Sequence, residues 1–169
     1  MRLTWQTLRD RAELLDCLTR YAQGVDQRCW PLYDGAFHPD AQVHVPGYME
    51  GTLGFVAFRE MLAGTFDTLR LSGQHLLGNM QAEIDGDRAR TVTEFLATTL
   101  EDAPGGGASR EVTPGLYIDE FRHRDGEWRI VRHTIVRKAA DGATLPFEMP
   151  VADAVRSTLA TRWLLHSGH

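Results

Sequence analysis

Two residues in the first half of the chain, Asp26 and His75, could act together in acid/base chemistry. Asp26 falls on the edge of the apolar stripe of a predicted first helix, beside Val25, where an unpaired carboxylate is costly. His75 lies early in a predicted strand, where an imidazole with apolar neighbours suits a general base that works near neutral pH. A carboxylate that holds one ring nitrogen orients the other nitrogen toward a substrate. The two residues are therefore candidates for a catalytic pair.

Each of these residues also has a purely structural interpretation. Asp26 could be a charge at the helix boundary that faces solvent, and His75 could be a core histidine that is hydrogen-bonded to the backbone. Their spacing in the sequence does not decide whether the two side chains meet.

Aromatic and strand residues near this pair are candidates for a substrate-binding wall. Amphipathic aromatics are typical of such walls, although Tyr117 could equally be a core ring with its hydroxyl at the edge. Alternation along the strand places Leu77 and Asn79 on the same face as His75. The predicted substrate-binding set is Trp30, Tyr48, Leu77, Asn79, Tyr117 and Val131.

Three histidines, His38, His44 and His75, raise the question of a metal site. The chain has neither His-x-His nor His-Glu-x-x-His spacing, and His38 and His44 lie near predicted loop ends. The glycine-rich segment 103–109 lacks the Lys-Ser/Thr and the helix that a phosphate-binding loop needs. We therefore expect neither a metal nor any other cofactor.

The elements that must position these residues change type halfway along the chain. Apolar spacings of three and four predict helices first, and runs rich in Val, Ile, Thr and aromatics predict strands afterwards. Turns are expected at Asp85-Gly86 and Asp125-Gly126. The predicted helices are 4–30, 32–37, 52–69 with Thr52 as its cap, and 150–166; the predicted strands are 41–45, 74–84, 88–101, 111–122 and 127–137.

This order of elements predicts a single α+β domain with a core over about 4–138 and a C-terminal tail helix. Helices laid across a strongly curved, mostly antiparallel sheet enclose a cone, and the mouth of a cone is a natural small-molecule pocket. The length of 169 residues fits one such domain.

Composition and charge exclude several classes of partner. The net charge is −5 and no Lys/Arg cluster occurs, so we expect no binding to nucleic acid or to an anionic membrane. No apolar run reaches the length of a membrane span or a signal peptide, so we expect a cytoplasmic protein. Cys17 and Cys29 are expected to be reduced packing residues. Apolar residues in the tail, among them Phe147 and Trp163, predict a homo-oligomer, either a dimer or a trimer.

A series of short motifs, in order and at characteristic spacing, resembles the SnoaL-like branch of the nuclear transport factor two superfamily over most of residues 10–137. That family has an α+β cone. Its members include polyketide cyclases, scytalone dehydratase, hexachlorocyclohexane dehydrochlorinase, steroid isomerase relatives and the small subunits of ring-hydroxylating dioxygenases. The motifs are Tyr21-Ala-Gln-Gly-Val-Asp26 with Trp30, Phe37-His-Pro-Asp40-Ala, Gly51, Gln74-His75-Leu-Leu-Gly78-Asn79, Asp85-Gly86-Asp87-Arg-Ala, and Gly115-Leu-Tyr117-Ile-Asp-Glu-Phe121 with Asp125-Gly126-Glu-Trp128-Arg-Ile.

The resemblance implies a role for four residues. Asp26 and His75 match an aspartate and a histidine that pair in the dehydratases and dehydrochlorinases. Tyr21 matches a position on the pocket wall, and His133 stands where the dehydrochlorinases have an arginine. The second histidine of scytalone dehydratase, expected near 112–114, is absent. The predicted catalytic set is therefore Asp26, His75, Tyr21 and His133, with the last two polarising a carbonyl, an epoxide or a leaving group.

The function expected from this resemblance is cofactor-independent acid/base catalysis by a cyclase, a dehydratase or other lyase, or an isomerase. The substrate would be a small hydrophobic metabolite, such as a polyketide or terpenoid intermediate of bacterial secondary metabolism. Two alternatives have the same fold: a non-catalytic small-molecule-binding protein, and a structural subunit resembling a dioxygenase small chain.

Overall fold

The computed structural model describes residues 4–103 and 105–138. The predicted tail helix over 150–166 and the apolar residues of the tail lie outside this range. In the described part of the chain, no helix combines the length and the apolar character that crossing a membrane requires.

Three helices form the first half of the fold: α1 (Trp5–Asp26), α2 (Trp30–Asp34) and α3 (Phe55–Leu69). Thr4 caps α1, because its hydroxyl accepts the backbone N–H of Thr7 at 3.1 Å. The predicted first helix was four residues too long, since Arg28 has a positive φ of 53° that ends it. The predicted cap of the third helix was wrong, because α3 begins after Gly54 without a side-chain cap.

In the described part of the chain, six strands form one sheet. Their order is β2-β1-β6-β5-β4-β3, and every pairing is antiparallel except the parallel pairing of β1 with β6. The predicted meander and both Asp-Gly turns are confirmed, whereas β2 was not predicted. The strands are β1 (Phe37–His44), β2 (Leu53–Gly54), β3 (Arg70–Asp85), β4 (Arg88–Asp102), β5 (Ala108–Arg124) and β6 (Glu127–Arg137).

The main core lies between the helices and one face of this curled sheet. Leu14, Leu18 and Tyr21 of α1 pack there against the rings of Tyr33 and Phe37. α1 and α2 approach closely because Gly24 carries no side chain, and a Cβ at that position would lie 2.5 Å from the backbone nitrogen of Tyr33. The predicted α+β cone is confirmed.

The two cysteines lie in different environments. Cys17 is buried in α1, and its thiol donates to the Ala36 carbonyl at 3.1 Å. Cys29 is exposed and precedes α2, so the prediction that both cysteines pack in the interior is wrong for Cys29. The reason is that the chain leaves α1 before it reaches this residue.

Candidate active site

The last residue of α1 and the first half of β3 bring Asp26 and His75 together. The Nδ1 atom of His75 lies 2.6 Å from Oδ1 of Asp26, and the backbone N–H of His75 donates to Oδ2 of Asp26 at 2.7 Å. Both side chains are largely buried, with 10 % of His75 and 14 % of Asp26 exposed. The expected contact between them is confirmed.

This geometry sets the tautomer of the neutral imidazole. An ionised carboxylate can only accept hydrogen bonds, so Nδ1 of His75 donates to Asp26, and in the neutral ring Nε2 then has a free lone pair. Within residues 4–103 and 105–138, Nε2 of His75 has no hydrogen-bond partner. A Cβ at Gly73 would make an ordinary van der Waals contact with the carboxylate, 3.5 Å from Oδ1 of Asp26. The pair can therefore accept a proton at Nε2.

A cavity of about 180 Å³ lies beside this pair, and its wall includes neighbours of His75 but neither Asp26 nor His75 itself. Ala97, which is in its wall, is the register partner of His75 on β4. The ring of Phe95, also in the wall, lies 6.2 Å from the imidazole. The apolar part of the wall consists mainly of Val45, Phe58, Met61, Leu62, Phe66, Phe95 and Ile135, and the polar part of Arg70, Thr99, Glu111, Thr113 and Arg137.

The position of Phe95 depends on Gly115. A Cβ at Gly115 would overlap the Phe95 ring and would lie 2.5 Å from the backbone carbonyl oxygen of Val136. Without that side chain, Phe95 stacks on Tyr117 with 4.2 Å between ring centroids. Gly115 therefore leaves the space in which the Phe95 ring, a part of the cavity wall, packs on Tyr117.

The predicted aromatic wall residues have three different environments. Tyr48 is 55 % exposed and lines the cavity, as predicted. Tyr117 is 1 % exposed and lies beneath Phe95, so its alternative interpretation as a core ring is correct. Trp30 packs edge-on against Tyr33 at 6.0 Å and is not part of the cavity wall.

Two irregularities in the sheet change the faces of the remaining predicted wall residues. Leu77 packs against the core on the face of His75, but the register shifts between Leu77 and Met80. Met80 therefore takes the inner position, and Asn79 is exposed, contrary to the prediction that it shares the face of His75. Val131 lies opposite a similar shift on β5, where it has no register partner, and it does not line the cavity.

A second aspartate–histidine pair, which was not predicted, lies deeper in the core. Nδ1 of His133 is 2.5 Å from Oδ1 of Asp119, and both side chains are 0 % exposed. Within the described part of the chain, Nε2 of His133 is buried without a hydrogen-bond partner. The ring of Tyr21 lies 4.5 Å from this imidazole. One sequence signal could have revealed Asp119, because strand alternation places it on the inner face between Tyr117 and Phe121.

Burial dominates the electrostatics of this second pair. It raises the pKa of Asp119, although the neighbouring His133 acts in the opposite direction. It also raises the pKa of both the Tyr21 and the Tyr117 hydroxyls well above the usual value for a phenol. The two tyrosines are therefore neutral phenols at physiological pH.

The structure does not bring Tyr21 and His133 to the cavity as the sequence predicted. Neither residue is in its wall, and Tyr21 is only 3 % exposed. His133, Asp119 and Thr91 occupy one register row across β6, β5 and β4. Along β4, this row lies about 20 Å of extended strand from Ala97, which is in the cavity wall.

The other candidate histidines have separate partners. Nε2 of His38 contacts the Arg122 carbonyl at 3.0 Å, and His44 contacts the carbonyl of Gly51. In the described ranges, no group of three or more His, Cys, Asp or Glu residues could hold a metal ion.

A larger depression of about 420 Å³ lies at the opposite end of the strands. Its wall carries both signs of charge, and it lies beside the β3–β4 turn, about 33 Å of strand away from His75. It contains neither a histidine nor an extended apolar surface. The smaller cavity beside Asp26 and His75 is therefore the better candidate for an active site. The charged residues around the larger depression are Glu83, Asp85, Arg88, Arg90, Glu120 and Arg122.

Comparison with known proteins identifies the family. Uncharacterized protein Rv2910c of Mycobacterium tuberculosis is 28 % identical over 127 residues, which are 73 % of this chain and 82 % of that protein. A putative scytalone dehydratase from Novosphingobium aromaticivorans has a similar structure, with a TM-score of 0.75 and 16 % identity over 86 % of this chain and 95 % of that one. The hexachlorocyclohexane dehydrochlorinase LinA-type3 from Novosphingobium barchaimii gives a TM-score of 0.68 and 20 % identity over 79 % and 90 % of the two chains. A family model described as a SnoaL-like domain matches residues 6–134, and the chain belongs to this family.

Proposed function

We propose that this protein is a cofactor-independent enzyme of the lyase or isomerase kind that acts on a small hydrophobic metabolite. The observation that carries the proposal is the contact of 2.6 Å between Asp26 and His75 beside a largely apolar cavity. The solved structures with a similar fold include a putative scytalone dehydratase and a hexachlorocyclohexane dehydrochlorinase. The mainly aliphatic and aromatic side chains of the cavity wall suit a small hydrophobic substrate, such as a polyketide or terpenoid intermediate.

The proposed reaction begins with proton transfer from carbon. Nε2 of His75 removes a proton from a C–H group next to an electron-withdrawing substituent, and the electron pair of that bond stays on the substrate. Asp26 holds the resulting imidazolium through Nδ1 and stabilises its charge. Expulsion of a leaving group completes an elimination, return of the proton to another carbon completes an isomerisation, and attack of the carbanion on a carbonyl completes a cyclisation. All three outcomes share the first step.

Tyr21 and His133 have an indirect role in this proposal. Both rings pack against Tyr117, and Tyr117 supports Phe95 in the cavity wall. They would therefore position the wall rather than polarise the substrate by contact. A variant at either position should change KM more than kcat.

The common first step can be tested without knowing the natural substrate. The probe is 5-nitrobenzisoxazole, a small apolar molecule whose deprotonation at carbon breaks its N–O bond and releases a coloured phenolate. We expect the protein to accelerate this reaction beyond an equal concentration of free imidazole. His75→Ala and Asp26→Asn should each lower kcat/KM by about two to four orders of magnitude. The double variant should be scarcely slower than either single variant, because the two residues act as a unit.

The matched control is His123→Gln. His123 packs against Trp128 beside the β5–β6 turn, away from the cavity, so its removal should leave the rate unchanged. Thermal unfolding of each variant separates loss of the base from loss of the fold. A folded double variant that retains the full rate would refute the proposal. Saturable binding of the probe with no acceleration would instead favour the binding-protein alternative.

A further inference from the structure

The cavity beside the Asp26–His75 pair has one charged end. Arg70, the first residue of β3, and Arg137, the last residue of β6, both lie in its wall. Arg137 contacts Glu111 and Thr113 near the start of β5, which are also in the wall and form this charged end. The opposite side of the wall is formed by apolar side chains of α3. The cavity is therefore amphipathic.

The Arg137 guanidinium has N–H donors that no described residue uses. Its two hydrogen bonds, to the Glu111 carboxylate and to the Thr113 hydroxyl at 3.1 Å, both come from the same terminal nitrogen, Nη2. A guanidinium has five N–H donors in a planar fork. Within residues 4–103 and 105–138, the Nε and Nη1 atoms of Arg137 have no partner.

Arg70 already has partners. Its guanidinium lies over the Phe66 ring, 4.3 Å from the ring centroid, and its Nε forms an ion pair with Glu101 at 3.1 Å. The Glu101 carboxylate balances the charge of Arg70, so Arg137 is the arginine in the wall that has unused donors.

The unused donors in the wall favour an anion. Arg70 is paired with Glu101 and Arg137 with Glu111, and Arg137 keeps Nε and Nη1 without a partner among the described residues. Arginine binds carboxylates and other planar oxyanions well, because its N–H fork matches their geometry.

The charged end lies at a defined distance from the proposed base. His75, Ala97 and Thr113 occupy one register row across β3, β4 and β5. Two strand spacings separate the backbones of His75 and Thr113 by about 10 Å. A ring system that fills the apolar part of the cavity would bridge this distance.

We propose that the cavity selects organic anions that consist of a hydrophobic ring system with one carboxylate or phenolate group. The anionic group binds the unused donors of Arg137, and the ring packs against α3 and Phe95. The inference rests on the proposed function only in placing the reacting C–H group next to His75. Binding of the anion does not depend on catalysis.

The test compares 2-naphthoate with its neutral analogue 2-naphthalenemethanol by isothermal titration calorimetry. We expect the unmodified protein to bind the anion at least tenfold more tightly. Arg137→Gln should remove most of this preference and leave the Kd of the neutral analogue unchanged. Arg132→Gln is the matched control, because its side chain is 61 % exposed and is not in the cavity wall.

Glu111→Gln keeps both arginines and removes the carboxylate that competes with the ligand for Arg137, so it should tighten naphthoate binding several-fold. Asp26→Asn should retain the preference for the anion, which separates this inference from the proposed catalysis. Equal affinity for the two naphthalene compounds would overturn the inference. Loss of the preference in Arg132→Gln to the same extent as in Arg137→Gln would also overturn it.

Discussion

The buried Asp119–His133 pair should respond asymmetrically when one partner is removed. His133→Leu leaves a carboxylate in the core with no counter-charge, whereas Asp119→Val leaves an imidazole that can be neutral at pH 7. His133→Leu should therefore be the more destabilising change. Asp119→Val with His133→Leu replaces the pair by apolar side chains and should recover much of the loss.

The size of the effect follows from complete burial. Both side chains are 0 % exposed, and removing one partner of a buried pair typically costs about 3–5 kcal/mol. In a domain of this size, 1 kcal/mol corresponds to about 2–4 °C in Tm. His133→Leu should thus lower Tm by roughly 6–20 °C. The double variant should be more stable than His133→Leu by about 2 kcal/mol or more.

Urea unfolding at pH 5 and pH 7 tests both the order of stability of the two single variants and the electrostatic cause of that order. Burial already raises the pKa of Asp119, and the loss of His133 should raise it further. A carboxyl whose pKa is raised in the folded state loses stability as pH rises through that pKa, so the deficit of His133→Leu should shrink at pH 5. A deficit that is equal at both pH values would refute the reasoning. An Asp119→Val variant less stable than His133→Leu would refute it as well.

Three further changes have defined outcomes. Gly115→Ala should lower the free energy of unfolding by about 1–3 kcal/mol through overpacking, whereas Gly64→Ala, with open space around the added methyl, should raise it by about 0.5–1 kcal/mol; thermal unfolding measures both. A maleimide should label Cys29 in the folded protein and Cys17 only in denaturant, because burial raises the pKa of the Cys17 thiol to about 12; mass spectrometry reads the sites. Asp40→Asn should lower the free energy of unfolding by less than about 1 kcal/mol at pH 7. Because Arg124 lowers the pKa of Asp40 from 3.8, protonation at acid pH removes the stabilisation by the carboxylate, and the difference between the variant and the unmodified protein should vanish; urea unfolding against pH measures it.

Local pattern was sufficient to predict most of the sheet. Alternating apolar residues and the two Asp-Gly turns are short-range signals, and they located β3 to β6 to within a few residues at most ends. The contact between Asp26 and His75 has no such short-range signal. It joins the end of a helix to a strand that is distant in the sequence, so the spacing of the two residues could not predict it. The prediction came from the resemblance to a family.

The errors arose where one strand depends on its neighbour. Asn79 was assigned to the inner face because alternation was assumed to continue, but a register shift against β4 reverses the faces after Leu77. Val131 also lies at a register shift, on β6, and does not line the cavity. Asp119 was not predicted, because its burial depends on its partner His133 on the adjacent strand.

The parallel pairing of β1 with β6 has a consequence for biosynthesis. β3 to β6 are joined as hairpins, so each can pair with a strand that has only just been synthesised. β1, by contrast, pairs with β6, which begins at residue 127. During synthesis the backbone edge of β1 on that side is therefore unpaired until β6 has been translated. Premature termination before β6 leaves that edge unpaired and removes the contact of β6 with α1, and an unpaired strand edge promotes aggregation of nascent chains. Among the described strands, β6 is therefore the one whose synthesis completes the pairing of β1.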